Sequence, residues 1–218
     1  MPMFLASNSL SLSRWMCRQD RKTILNDFFL IKRDYNKRYL LYEHVIEAAG
    51  LKDTPALYIE FGVSSGKSIK WWAERLKHPD CRFYGFDTFE GLPENWGTFR
   101  KGDMNSQIPQ TDDERIIFVK GLFQETVPDF VKQIGNQTSN IARQKIIHFD
   151  ADLFSSTLFA LTSMAPLLQA GDILLFDEFN VPNHEFLAFK MFTESYYISP
   201  KLLGAVNNYL QVAFVIQS

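Results

Sequence analysis

The residues of this chain that could do chemistry sit where apolar runs stop. "ALYIEF" closes on Glu60 and passes into "GVSSGKS". "RFYGFD" closes on Asp87, "KIIHFD" on Asp150 with Asp152 two positions on, and "DILLFD" on Asp177 and Glu178. A fifth run, "RIIFVK", passes into Gly121, Phe123 and Gln124. A single acidic run end is ordinarily a helix cap or a loop anchor. Five on one rim would form a binding site, because ligands of open α/β sheets bind outside the carboxyl ends of the strands.

The first of these ends points to a cationic ligand. Gly62 and Gly66 are spaced as GxxxG, not as the GxGxxG of dinucleotide sites. A pyrophosphate seeks bare amides with no carboxylate beside them, yet Glu60 stands at the mouth of this turn. A carboxylate suits a ligand with an ammonium and a sulfonium, and S-adenosylmethionine carries both. Gly62 would let its amino-acid part approach the backbone closely, with Ser64, Ser65 and Gly66 completing the turn. Asp87, 27 positions after Glu60, can take both hydroxyls of a ribose. That feature serves NAD and S-adenosylmethionine alike. Phe123 offers a face and Gln124 an amide to an adenine, with core packing the competing role for Phe123.

The remaining acids suggest a metal. Asp150, Asp177 and Glu178 end neighbouring runs and can converge. Like charges that close are costly unless a cation or proton is shared, and oxygen-only ligands suit a hard divalent ion such as magnesium. Such an ion could bind an acceptor oxygen and lower its pKa, with Asp152 taking the proton. The competing reading makes Asp152 a cap for the helix at "SSTLFAL", and Asp177 and Glu178 solvated loop acids. Among the histidines, His148 lies inside an apolar run and reads as core. His44 and His78 fall in helical patterns. His184 follows the last acidic end and is a candidate base facing the acceptor.

The elements that must position these residues alternate. The apolar runs above read as strands, and "GKSIKWWAERLKH", "ETVPDFVKQI", "SSTLFALTSMAPLLQ" and "NHEFLAFKMFTESYY" read as the helices between them. Strands alternating with helices imply a parallel sheet covered on both faces. The end of the chain departs from this. "KLLGAV" and "YLQVAFVIQ" are strand-like runs joined by Asn207-Asn208, and Asn tolerates the positive φ of a tight hairpin. The sheet should therefore finish with an antiparallel pair. Ahead of the alternation, Thr23 to Gly50 reads as helical, with Leu40, Leu41, His44, Val45 and Ala48 near helical spacing and Gly50 as the stop. The stretch from Thr88 to Glu114 is long for a connection and reads as a lid or binding loop, with disorder as the alternative.

Composition bounds the partners. A chain of 218 residues, 46% hydrophobic with 20 Phe, can build one α/β domain with a large core. A net charge of −2 offers no basic patch for a phosphate backbone, so nucleic acid is not an expected partner. Two cysteines, Cys17 and Cys81, are too few for a disulfide framework or a zinc cage and read as reduced thiols of a cytoplasmic protein. No apolar run reaches the ~18 residues that span a bilayer, so no membrane partner is expected. "MPMFLASNSLSLSRWMC" has no basic leader ahead of its apolar part and reads as an arm of the domain, not a signal peptide.

These segments resemble a known family. "YIEFGVSSGKS", "YGFDTFEGLPE", "KGLFQETVPDF", "FDADLFSST" and "LLFDEFN" are similar, in order from about Tyr58 to Phe179, to the macrocin O-methyltransferase (TylF-type) family. "FDTFEGLP" and "DADLFSST" are the specific parts. The resemblance implies a Rossmann-like class I methyltransferase fold: a mostly parallel seven-stranded sheet with a C-terminal antiparallel hairpin and helices on both faces. Together with the arm and loop readings above, the resemblance gives one domain over 1–218, with 1–50 a helical arm and cap, 51–218 the core and 88–114 a lid. It implies metal-assisted O-methylation of a hydroxyl on a sugar or other natural product, with S-adenosylmethionine as donor. Carried over, Glu60, Gly62, Ser65 and Gly66 hold the methionine end of the donor. Asp87 and Thr88 hold the ribose, Gly121, Phe123 and Gln124 lie by the adenine, and Asp150 borders the donor. Asp150, Asp177 and Glu178 match the metal ligands, and Asp152 the base. The chain departs from the pattern at Ala151 (usually Gly), Phe154 and Phe179 (usually Tyr) and Glu178 (usually Asp). Family members often self-associate, so a homo-oligomer is a further option. A nicotinamide-dependent Rossmann oxidoreductase and a non-catalytic nucleoside-cofactor-binding protein are the competing functions.

Overall fold

A computed structural model describes residues 2–136 and 143–217; Met1, Ser218 and residues 137–142 lie outside the described residues. The strands are β1 (Leu25–Asn26), β2 (Ala56–Phe61), β3 (Arg82–Asp87), β4 (Ile116–Lys120), β5 (Gln144–Phe149), β6 (Ile173–Phe176), β7 (Ser199–Val206) and β8 (Gln211–Gln217). The helices are α1 (Pro2–Cys17), α2 (Lys37–Ala48), α3 (Lys67–Arg75), α4 (Phe123–Gly135), α5 (Phe154–Met164) and α6 (Glu185–Tyr196). The strands form one sheet in the order β1-β7-β8-β6-β5-β2-β3-β4. β1 to β6 each pair only in parallel with the strands beside them, except that β6 meets β8, and β7 meets β8, antiparallel. The mostly parallel sheet with its terminal hairpin is the expected Rossmann-like architecture, with a two-residue strand added at the edge.

The core lies on both faces. Along β2 every residue is buried, and successive side chains serve opposite sides. Leu57, Ile59 and Phe61 join the cluster under α4, α5 and α6, while Ala56 and Tyr58 join the one under α2 and α3. Phenylalanines fill the first face: Phe86, Phe61, Phe149 and Phe176, one per neighbouring strand, stack at 5.3, 5.6 and 4.9 Å. This ladder runs beneath the strand ends and accounts for part of the high Phe content. α1 caps the same face through Trp15, which lies 5.1 Å from Phe179 and 5.7 Å from Tyr209.

The helical reading of Thr23 to Gly50 is corrected. The helix starts only at Lys37, and the residues before it run in an irregular path after β1. The cause is tertiary. Asn208 Oδ1 accepts from the Leu30 amide at 2.7 Å and Asn208 Nδ2 donates to the Leu30 carbonyl at 2.8 Å. Asn207 does the same to Asp34, at 3.0 and 2.8 Å. These bonds hold the segment against the hairpin turn and replace the bonds a helix would make. The turn itself has φ of 55° at Asn207 and 58° at Asn208, continuing at Tyr209 with 62°. No helix among the described residues is long and apolar enough to cross a membrane.

Candidate active site

The sheet order reverses between β2, which is followed by β3 on one side, and β5 on the other. The crevice at such a switch point is where α/β sheets bind ligands. A cavity of about 680 Å³ opens there. Its lining includes Glu60, Gly62, Ser64, Ser65, Asp87, Thr88, Phe123, Gln124, Asp150, Asp152, Asp177 and Glu178. The structure thus brings residues from the ends of five strands to one site. Gly66, Gly121 and His184 are not in the lining. Gly66 is the left-handed residue that starts α3, and Gly121 donates its amide to the Asp87 carbonyl at 3.0 Å.

Glu60 is 1% exposed. It stands beside His148 in register on β5. Tyr58 Oη donates to Glu60 Oε2 at 3.0 Å and lies 2.9 Å from His148 Nδ1. A hydroxyl has one proton to give, so Nδ1 carries the hydrogen and Nε2 accepts from Tyr42 Oη at 3.4 Å. Tyr42, His148 and Tyr58 therefore form a buried chain of donors pointing at Glu60. Burial pushes Glu60 up to about 8, only partly offset by Tyr58 and Arg38. Burial, aided by Arg38, presses His148 down to about 3, so the ring is neutral. His148 is core, as its place in a strand suggested, but a polar core member.

Gly62 has φ of 93°, and a Cβ there would lie 1.8 Å from the Asp150 carbonyl oxygen. The glycine is required by the close approach of β2 and β5 ends, whatever a ligand needs. Asp87 braces the turn: Oδ2 accepts from the Ser64 amide at 2.8 Å and Oδ1 from the Phe89 amide at 2.7 Å. Thr88 spends its hydroxyl on the Gly91 carbonyl at 2.9 Å. Phe123 and Gln124 fall in the first turn of α4, and Phe123 packs edge-on to Phe61 at 5.2 Å.

Beyond the ends of β5 and β6, ligand-capable oxygens of Asp150, Asp152 and Glu178 lie within 4.8 Å of one another, and so do atoms of His148, Asp150 and Asp177. His148 spends both ring nitrogens on tyrosines, which leaves carboxylates as the metal-capable groups. Burial, then Asp177 and Asp87, pushes Asp152 up to about 7. Burial and the neighbouring Asp177 hold Glu178 well above the usual carboxylate range. Glu178 Oε2 is buried with no hydrogen-bond partner among the described residues.

Three groups around these acids escaped the sequence reading. Arg38, in the first turn of α2, puts Nη2 2.9 Å from Asp177 Oδ2. Tyr35 donates its hydroxyl to Glu178 Oε1 at 3.2 Å. Glu185, fully buried, accepts from the Glu178 amide at 3.0 Å. Arg38 and Asp177 are 139 positions apart, and no local spacing signals such a pair.

The long loop lies folded over the mouth. Gly91, Leu92, Pro93, Trp96, Phe99, Met104 and Asn105 all line the cavity. Ser155 Oγ donates to Glu94 at 2.8 Å and Ser106 Oγ to the Ser64 carbonyl at 3.1 Å. Trp96 stacks on Phe99 at 5.5 Å and takes His184 edge-on at 6.2 Å, so His184 sits behind the aromatic wall.

Residues 59–179 match the family model described as a methyltransferase domain. A curated relative is the 8-demethyl-8-(2,3-dimethoxy-alpha-L-rhamnosyl)-tetracenomycin-C 4'-O-methyltransferase of Streptomyces olivaceus. It is 25% identical over 168 residues, 66% of this chain and 61% of that protein. The match thus spans less than two thirds of that relative's length. The crystal structure of CalS11, a calicheamicin methyltransferase, superposes with a TM-score of 0.63 at 20% identity, over 96% of this chain and 91% of that one. The O-methyltransferase NovP does so with a TM-score of 0.59 at 18% identity, over 84% and 79%. At these identities the structural likeness shows the shared fold.

Proposed function

We propose, from the premise that the chain belongs to the methyltransferase domain family, that it moves a methyl group from S-adenosylmethionine to a hydroxyl of a small molecule. A glycosyl-bearing natural product is the acceptor class, in keeping with the 4'-O-methyltransferase named as a curated relative and with the TylF-type motifs. One observation carries the reading: Glu60 and Asp87, from the ends of β2 and β3, share a single cavity with Asp150, Asp152, Asp177 and Glu178.

When bound, the donor supplies an electrophilic methyl on a positive sulfur. Glu60 receives the donor's charge, and a cation beside it favours its ionised form. The turn from Gly62 to Gly66 presents amides to the amino-acid part. Asp87 and Thr88 take the ribose, and Phe123 and Gln124 flank the adenine, with Gly121 behind them bracing the Asp87 backbone. The all-oxygen set of Asp150, Asp177 and Glu178, with Asp152 beside it, fits a hard divalent ion such as magnesium, which would make an acceptor hydroxyl more acidic. Without an ion, Asp152 is the group poised to take that proton near neutral pH. His184 acts, on this reading, through Trp96. The chain works as one domain, with residues 1–50 as cap and 88–114 as lid, and self-association is compatible with it.

Isothermal titration with S-adenosylhomocysteine tests the reading. Micromolar binding that Asp87→Ala abolishes is expected. Absence of binding, with and without magnesium, would sink it.

A further inference from the structure

A second cavity, of about 690 Å³, lies between α1, α6 and the β7–β8 pair and shares no lining residue with the acidic one. That volume is within the roughly 300–1,000 Å³ of small-molecule sites. Its floor is apolar, made by Trp15, Phe186, Phe189, Ile198, Leu202 and Phe214. Trp15 is half-buried and stands 6.2 Å from Phe186 and 5.9 Å from Phe214, while Phe189 stacks on Phe214 at 4.6 Å. The lining also carries Arg14, Arg18 and Lys190 against one acid, Glu194. Lys190 lies 3.9 Å from Glu194, whose side chain is 67% exposed. Arg14 and Arg18, four positions apart at the end of α1, have no ion pair or side-chain hydrogen bond among the described residues. Like charges at that spacing repel, and an anion between them would relieve the repulsion. The cavity at the strand ends is opposite in sign, with six acidic side chains against Arg38 and Lys67. An anion is therefore steered to the groove and away from the strand ends.

We propose that this groove is a second ligand site, for an amphiphilic carboxylate, with the apolar body on the aromatic floor and the carboxylate between Arg14 and Arg18. A guanidinium presents paired N–H donors that match a carboxylate's two oxygens. A second copy of the chain fits less well, because a symmetric contact would set the same surplus of positive charge against itself. The site stands independently of the reading of the acidic cavity.

The test uses 11-bromoundecanoate on the full chain, followed by quenching of tryptophan emission, since bromine quenches a ring that it touches. Saturable quenching is expected, unchanged by S-adenosylhomocysteine. Trp15→Phe should keep the affinity, read by isothermal titration, and lose most of the quenching. Arg14→Gln/Arg18→Gln should weaken binding about tenfold or more. The uncharged 11-bromoundecan-1-ol should bind the parent protein at least about tenfold more weakly than the carboxylate. Both arginines are exposed, so the double variant should fold, which its Tm checks; should it not, the alcohol comparison decides. No saturable quenching, quenching that survives Trp15→Phe or yields to S-adenosylhomocysteine, equal affinity for alcohol and carboxylate, or full affinity in the folded double variant overturns the proposal. A dimer seen by sedimentation velocity and lost on Leu10→Asp would make the groove an interface between copies, and also overturns it.

Discussion

Glu60 is a carboxylate stored in a neutral, buried setting. Burial holds its pKa at about 8, while Tyr58 points a hydroxyl at it from behind. A cationic ligand at the mouth should therefore expel a proton. Titration of S-adenosylhomocysteine, which carries an ammonium, at pH 7 in buffers of different ionisation enthalpy should reveal proton release, and Glu60→Gln should lose it. Equal heats in all buffers would count against this role. Tyr58→Phe removes the donor to the ionised form, so it should weaken donor binding by about fivefold, the loss of one hydrogen bond of ~1 kcal/mol. Asp150→Ala should cut kcat/KM by about 100-fold or more while leaving S-adenosylhomocysteine affinity nearly unchanged. A parallel loss of both would argue that the donor-binding and metal-binding residues of the cavity are not separate in function.

Among the elements, the handover from β2 to α3 is the most constrained. The Gly62 backbone lies against the Asp150 carbonyl, so any side chain there must push two central strand ends apart. Gly62→Ala should cost about 2–4 kcal/mol, read as a fall in Tm, and should disturb Asp150 as well. The loop from Thr88 to Glu114 is an element of the site too. It is fastened at Ser155 and Ser64, and its Trp96–Phe99 pair walls the cavity. Trp96→Ala should therefore raise KM for the acceptor and leave that for S-adenosylmethionine within about twofold, since uniform binding lost at one subsite appears in that KM. Equal rises in both would place Trp96 at the donor.

For the whole molecule, the buried titratable groups set how stability follows pH. In the ligand-free protein, Glu60 at about 8 and Asp152 at about 7 keep protons that the unfolded chain releases near 4.5 and 3.8. Their contribution is complete below those lower values and is lost as pH rises through 7 and 8. His148, held down to about 3 by burial, works the opposite way, weakening the fold as pH drops below 6.5. The two trends oppose one another below 6.5, and only the acids act above it. Calorimetry should find Tm falling between pH 6.5 and 8.5, at up to about 1.4 kcal/mol per pH unit for each group. Glu60→Gln should flatten that fall. Magnesium, binding only the folded site, should raise Tm most at the alkaline end.

The sequence by itself determined the alternation of strands and helices, the closing hairpin and the acidic strand ends. Each of these is local: a buried strand such as "ALYIEF" is apolar along most of its length, so a carboxylate at or just past its carboxyl end stands out. Glu60, Asp87, Asp150, Asp152, Asp177 and Glu178 were legible for that reason, and the family motifs lie on the same segments. Tertiary structure alone decided the rest. The stretch before Lys37 has helix-compatible residues, yet Asn207 and Asn208, far along the chain, hold its backbone otherwise. His148 looked like an apolar-face residue until two tyrosines met its nitrogens. Gly62 looked like a concession to a ligand until the Asp150 carbonyl was found against it. Arg38 carried no signal, because its partner becomes its neighbour only once β5 and β6 lie side by side under α2. Periodicity reports whether a residue is buried; which charge it is buried against depends on strand order, and strand order is a property of the assembled sheet.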